Sequence, residues 1–203
     1  MSVNGTHGYA GAIQQFVEAI ESVNFFDLHA YCSKLFPLIP ATILDIGSGI
    51  GRDAATFSAM GYTVITVEPC QELLNLARQS HPSCSVEWIN DSLPTLAKIV
   101  RMDVKFDFIL CSAVWHHIDD EERKIALSVV SSLLKPNGLL ALTLRNGPAG
   151  VGTHVFPTDV KKTTQLAESF NLTRLLIQQN QPGLIANKCN VDWSKMVFQR
   201  SWI

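Results

Sequence analysis

TILDIGSGIGRDAATFSAMGYTVITVE, residues 42–68, decides the fold. Thr42 to Ile46 is a short apolar run with one acid, Asp45, just before its end. Gly47, Gly49 and Gly51 then alternate with Ser48 and Ile50. Glycine takes positive φ, or lets backbone lie against a ligand, because no Cβ stands in the way. Arg52 to Met60 has helical spacing, with Ala54, Phe57 and Met60 on one stripe, and Gly61 is a natural stop behind it. Thr63 to Val67 is the next β-branched run, and it ends at Glu68. Strand, glycine loop, helix and strand in this order form a βαβ crossover.

The spacing is GxGxG, not the GxGxxG of dinucleotide-binding turns, and Asp45 stands where those turns are apolar. With Glu68 closing the second strand, the pattern resembles motifs I and II of the class I S-adenosylmethionine-dependent methyltransferases. The resemblance runs from about Thr42 to the end and is strongest through Leu144. It implies an α/β fold, a Rossmann-like three-layer sandwich whose mostly parallel, seven-stranded sheet ends in an antiparallel C-terminal hairpin. It also implies S-adenosyl-L-methionine as cofactor. In the family the glycine loop lies against the methionine and ribose portions, which here assigns Gly47, Ser48, Gly49 and Gly51, with Arg52 behind them. Asp45 matches the acid that orients the cofactor. Glu68, followed by Pro69, matches the acid that takes the ribose hydroxyls. A carboxylate suits that task because it only accepts, and can hold two vicinal hydroxyls at once. Asp91 matches the acid that accepts from the adenine amino group, beside Ser92 and Leu93; it also reads as a helix N-cap. Cys111 and Ser112, ending the fourth strand, complete the cofactor set.

At 203 residues, 47% hydrophobic and 17% charged, the chain reads as one globular methyltransferase domain over 1–203, with 1–40 as an N-terminal helical cap. A formal net charge of −2 argues against a phosphate-tracking surface, so nucleic acid is a disfavoured partner. The five cysteines show no CxxC spacing and read as reduced thiols of a cytoplasmic protein. No apolar run approaches the ~20 residues of a membrane span, and the N-terminus does not read as a signal peptide. A homodimer is compatible with this composition.

Taken in order, Ala12–Ser22 and Phe26–Phe36 carry helical stripes and stand before the first strand. In small methyltransferases such helices cover the active site; they equally read as plain packing on the sheet. A helix through Arg78, a strand over Ser85–Asn90 and a helix over Leu93–Val100 follow. Asp107–Ser112 is apolar at its centre, as a strand buried on both faces should be. Asp119 to Glu122 start a helix with acids at the positive end of its dipole. Lys135-Pro136-Asn137-Gly138 ends it, and Leu139–Leu144 is the fifth strand. Asn146–Pro157 is a Gly- and Pro-rich loop on the edge of the sheet where open α/β folds bind ligands. Thr158–Phe170 reads as a helix capped by Thr158. Leu172–Gln178 and Val191–Gln199 are the last strands, joined by the turn-rich stretch Asn180–Asn190.

Methyl transfer from a sulfonium is an in-line displacement with a good leaving group, so positioning and water exclusion dominate. A base is needed only where the nucleophile must lose a proton. His116 and His117, in the motif IV position after the fourth strand, are the catalytic candidates. Of the two, His116 is expected to face the cleft and His117 to lie at the rim. Trp115 either stacks on the substrate or walls the site. Arg145 and His154 are candidates for binding an acidic or polar substrate group. No metal constellation is visible, and the Asn/Asp-Pro-Pro-aromatic motif of methyltransferases acting on amide or exocyclic nitrogens is missing. The short connection after the fourth strand favours a small-molecule acceptor. The expected function is methyl transfer to such an acceptor; the alternative is a non-catalytic module that holds S-adenosylmethionine or S-adenosylhomocysteine. A nicotinamide oxidoreductase is disfavoured by the glycine spacing.

Overall fold

The computed structural model describes residues 3–185 and 190–201. Seven strands, β1 (Thr42–Ile46), β2 (Thr63–Val67), β3 (Val86–Ile89), β4 (Phe106–Cys111), β5 (Leu134–Asn146), β6 (Leu172–Pro182) and β7 (Asp192–Arg200), form one sheet in the order β3-β2-β1-β4-β5-β7-β6. β1 to β5 are parallel to one another, and β7 lies antiparallel between β5 and β6. Helices α1 (Ile13–Glu21), α2 (Phe25–Leu28), α3 (Arg52–Ala59), α4 (Gln71–Ser80), α5 (Ala97–Arg101), α6 (Asp120–Leu133) and α7 (Val160–Ser169) flank it. This is the Rossmann-like sandwich with an antiparallel C-terminal hairpin. Among the described residues no helix is long and apolar enough to cross a membrane.

Strand side chains alternate between faces, and the alternation builds two cores. Leu44, Ile46, Ile109, Cys111, Leu142 and Leu144 point to one face and pack with α6. Ile43, Phe108, Leu110, Ala141 and Val197 point to the other and pack with Phe57 of α3 and Phe25 of α2. Each fully buried Leu, Ile or Phe contributes about 1.5–3 kcal/mol. The parity of the second face also carries Asp45, Thr143, Arg145, Trp193 and Lys195 toward the same side as Ile43 and Ala141.

Because β1 to β5 are parallel, every segment that leaves a carboxyl end emerges on one edge. The glycine loop, Glu68, Asp91, the segment 112–119 and the loop 146–157 therefore converge there. β7 runs the other way, so its first residues reach that edge too: Asn146 pairs with Asp192, and Arg145 with Trp193. Asn146 closes the 146–157 loop at its base, donating from Nδ2 to the Thr158 carbonyl and accepting the Thr158 N–H at 2.9 Å.

Several elements differ from the sequence-based expectation. The expected helix Phe26–Phe36 is only the short α2 and a 3₁₀ turn at Ser33–Leu35. Asn24 caps α2 by accepting the Phe26 N–H, and the chain breaks after Leu28 where His29 turns into the protein. The expected helix Leu93–Val100 shrinks to α5, because Pro94 supplies no N–H and Leu96 enters the left-handed region at φ 45. α6 ends at Leu133, and the stretch Lys135–Gly138, expected as the turn that ends it, belongs instead to β5, which begins at Leu134, paired with Phe106 before an irregularity, and not at Leu139. Asp159, not Thr158, caps α7 by accepting the Lys162 N–H at 2.7 Å. Of the turn-rich stretch Asn180–Asn190, residues 186–189 lie outside the described residues, as does Cys189.

Candidate active site

One cleft lies over the carboxyl edge, lined by the glycine loop, Glu68, Asp91, Ser112 and Arg145 and roofed by Thr6, Tyr9, Phe16 and Ile20 of the N-terminal segment. The roof fits the floor closely. A Cβ on Gly49 would lie 3.0 Å from Phe16, and one on Gly47 would collide with Val114. Gly47 and Gly49 take positive φ, 75 and 56 in that order. His7 accepts the Thr153 N–H at 3.0 Å, which joins the roof to the 146–157 loop.

The cofactor half of the cleft is acidic. Asp45 is buried, and its Oδ2 has no partner. Burial, then the nearby Asp53, pushes its carboxyl well above the usual range. Ser48 Oγ is likewise buried and unpartnered. Glu68 accepts the Gly49 N–H through Oε2 and the Cys70 N–H through Oε1, both at 2.8 Å. Burial pushes its carboxyl up to about 7, against the pull of those two N–H groups. Pro69, Ser92 and Leu93 also line the cleft.

Asp91 lines the cleft and also works as a cap. Its Oδ2 accepts the Lys98 and Ile99 N–H groups of α5 at 2.7 and 3.2 Å, and Oδ1 accepts the Ser92 N–H. Arg52 lines the wall, but its guanidinium is committed elsewhere. Nε donates to Asp53 Oδ1 at 2.7 Å, and Nη1 to the Ile20 and Val23 carbonyls at the end of α1. Asp53 in turn receives His29 Nε2 at 2.8 Å. Burial alone would raise Asp53, yet His29, then Arg52, hold it at about 2.

Two members of the expected cofactor set do not face the cleft. Cys111 has the parity of Ile109 and lies in the opposite core, 1% exposed. Gly51 faces Trp88 and Ala77; its missing Cβ lets β3 and α4 close against the loop. Trp88 is thereby half-buried against the second core and does not line the cleft.

The expected substrate half is rearranged. Trp115 is 1% exposed and fills the core against α6; it neither stacks in nor walls the cleft. The histidine pair is reversed. His117 lines the cleft, whereas His116 is buried behind it, against Trp193, with Nδ1 unpartnered. The cause is local backbone. Ala113 takes φ 60 and donates its N–H to Thr143 Oγ1, and Trp115–His117 form a 3₁₀ turn, so strand alternation does not carry past Ser112. His154 does not line the cleft with its ring; it contributes its carbonyl, 2.8 Å from His117 Nδ1. A carbonyl only accepts, so Nδ1 carries the proton and Nε2 is left as the acceptor for the Tyr9 hydroxyl at 2.9 Å. Burial lowers His117, and it lowers His116 further. Arg145 does line the cleft. Tyr9, Thr143, Trp193 and Lys195 were not singled out from sequence; the alternation of β7 places Trp193 and Lys195 on one face, which is the only signal they carry.

A family model described as a methyltransferase domain matches residues 43–138. That region, just under half of the chain, is a methyltransferase domain by this match, and the whole chain resembles the class I S-adenosylmethionine-dependent methyltransferases in fold. An uncharacterised methyltransferase of Mycobacterium tuberculosis is 29% identical over 108 residues, 53% of this chain and 41% of the relative. The match thus spans about two fifths of that relative's length. A ubiquinone biosynthesis O-methyltransferase of Bartonella bacilliformis is 27% identical over 177 residues, 80% of this chain and 70% of that protein. The solved structure of a TehB-like S-adenosylmethionine-dependent methyltransferase from Corynebacterium glutamicum shares the fold, with a TM-score of 0.70 at 19% identity over 97% of this chain and 99% of that one.

The cofactor of this methyltransferase family fits the residues present. S-adenosylmethionine offers an ammonium, two ribose hydroxyls and an adenine amine, all donors. The cleft answers with acceptors: the unpartnered Asp45 Oδ2, the remaining lone pairs of Glu68, and Asp91. Among the described residues no group of three or more His, Cys, Asp or Glu side chains is placed to hold a metal ion.

Proposed function

We propose that this methyltransferase binds S-adenosylmethionine in the acidic half of the cleft and transfers its methyl group to a small-molecule acceptor in the other half. The observation that carries the reading is the convergence of unpartnered acceptors Asp45 Oδ2 and Ser48 Oγ on a cleft that continues past His117 to Arg145. A roof built by Tyr9 and Phe16 over the cleft supports a small acceptor over a polymer. Asp45, Ser48 and Glu68 would hold the ammonium and ribose, and Asp91 the adenine amine. When bound, the cofactor supplies an electrophilic methyl on a sulfonium. The chain's own part is to exclude water, align the nucleophile and take a proton where one must leave. His117 is assigned that proton. The acceptor's proton passes to the Tyr9 oxygen as the Tyr9 proton moves to Nε2, leaving neutral Tyr9 and a cationic His117. A cytoplasmic location belongs to the same proposal; Cys32, Cys70, Cys84 and Cys111 are free thiols, as a reducing compartment keeps them.

Calorimetry with S-adenosylmethionine, S-adenosylhomocysteine and NAD tests the cofactor half, with heat expected for the first two only. Transfer of tritiated methyl from the cofactor to small molecules of a cell extract tests the reaction. Binding without transfer would leave a cofactor-holding module in place of an enzyme.

A further inference from the structure

Opposite the acids, β5 and β7 build a second polar cluster. Thr143 pairs with Lys195, and Arg145 with Trp193. All four line the cleft on the face that carries Asp45. Among the described residues both cations have only neutral partners. Arg145 Nη2 donates to the Pro148 carbonyl at 2.6 Å, and Nη1 to that of Gly147 at 3.5 Å. Lys195 Nζ donates to the Leu28 carbonyl at 3.3 Å and lies 5.3 Å from the centre of the Tyr31 ring. The ion pairs among the described residues use His29, Arg52, Arg123 and Lys135, and neither of these two.

The charge in the cleft is therefore divided. Asp45, Glu68 and Asp91 stand at the ends of β1, β2 and β3, and the unmatched cations stand at β5 and β7. A partly buried guanidinium and ammonium without a counter-charge are unfavourable until an anion arrives. Burial pushes both below their usual ranges, as expected of cations lacking such a partner. Arg145 keeps Nε and further Nη hydrogens for a planar, forked contact, which a carboxylate or phosphate matches and a neutral amide does not.

Resting on the methyltransferase reading, we infer that the acceptor is a small oxyanion, a carboxylate or a phosphate ester, gripped by Arg145 and Lys195 against Trp193 with its nucleophile turned toward Tyr9 and His117. Trp193 is the wall that limits its size, and Thr143 is held in place by the Ala113 N–H.

The test begins with the unsubstituted protein and a small-molecule extract of the cells that make it, separated on an anion exchanger. Tritiated methyl from S-adenosylmethionine should enter the retained fraction. Prior treatment of that fraction with phosphatase abolishes transfer for a phosphate ester and leaves it for a carboxylate. Transfer confined to the unretained fraction overturns the inference while leaving the methyltransferase reading intact. Transfer to neither fraction overturns both. Arg145→Met and Lys195→Met then locate the grip. Each should raise the KM for the retained acceptor on the order of ten- to a hundredfold, with S-adenosylhomocysteine affinity by calorimetry unchanged. Arg145→Lys should recover part of the loss. Equal weakening of S-adenosylhomocysteine would mean that these cations hold the cofactor's own carboxylate, which also overturns the inference.

Discussion

His117 has one ring nitrogen fixed by the His154 carbonyl and the other directed at Tyr9, so only Nε2 can take a proton. His117→Ala should lower turnover on the order of 10²–10⁴-fold while cofactor affinity holds. Burial lowers this histidine from its usual 6.5, so the acid limb of the kcat/KM profile should fall below the ordinary histidine range. Tyr9→Phe keeps the ring against Phe16 but removes the oxygen that relays the proton to Nε2, so it should lower turnover about as far as His117→Ala. His116→Leu replaces a buried ring with an unpartnered nitrogen and should leave turnover near the unsubstituted level; a large loss there would move the proton role to His116. Glu68 makes a separate prediction. Its carboxyl sits at about 7 in the folded chain against 4.5 unfolded, so the fold holds a proton that the unfolded chain releases. The stability from this group is complete below 4.5 and is lost as pH rises through about 7. Cofactor binding runs the other way, because ribose hydroxyls donate to the ionised form. Affinity for S-adenosylhomocysteine should rise as pH passes upward through 7, and Glu68→Gln should flatten that part of the profile. A calorimetric profile that Glu68→Gln leaves unchanged would exclude this coupling. The acids were legible in sequence because strand ends fix where Asp45 and Glu68 emerge. The histidines were not, because Ala113 at φ 60 breaks the alternation that would have assigned their sides.

Between elements, the informative contact is the buried chain His29–Asp53–Arg52. It joins the end of α2 to the first turn of α3 and, through the Ile20 and Val23 carbonyls, to the end of α1. α3 begins at the glycine loop, so the same side chains connect the roof of the cleft to its floor. His29→Leu leaves Asp53 buried with Arg52 as its one remaining ion partner. It should cost about 1–3 kcal/mol, read as a shift in the urea midpoint. The double variant His29→Leu with Asp53→Leu should recover part of that loss, since a buried pair replaced whole is far less costly than a pair broken. An additive double variant would show that the two residues are not coupled. The strands were legible for the opposite reason to this contact. LLALTL alternates, and the structure uses that alternation to send Leu140, Leu142 and Leu144 into one core and Thr143 to the cleft. Nothing in the local pattern around His29 or Asp53 indicates a partner 24 positions away. Asp91 is the contrary case: its reading as a helix N-cap was legible, and its carboxylate accepts the first N–H groups of α5.

At the scale of the molecule, burial divides the sheet from the N-terminal segment. The sheet's strands carry the two large cores, whereas α1 contains no buried residue and packs through the half-buried Ile13, Phe16, Val17 and Ile20. Few buried apolar contacts imply a low free energy of local opening. A cleft roofed by Tyr9 and Phe16 also requires such opening for cofactor and acceptor to enter. From sequence the amphipathic stripe of residues 12–22 predicted a helix, but not whether its apolar face covers ligand or only sheet; the contact of Phe16 with Gly49 shows that it lies on the glycine loop. A ligand filling the cleft gives that stripe a second surface to pack on. S-adenosylhomocysteine should therefore act twice. At a hundred times its Kd it should stabilise the whole fold by about 2.7 kcal/mol, through mass action on the native state. It should also slow amide exchange in residues 4–23 by more than this global term, because their opening uncovers the ligand. Hydrogen exchange followed by mass spectrometry, with and without S-adenosylhomocysteine, separates the two effects. Phe16→Ala should abolish the extra protection of the segment while leaving exchange in β1 and β4 responsive to the ligand. Equal protection of the segment in the Phe16→Ala variant would show that the roof closes without reference to what lies beneath it.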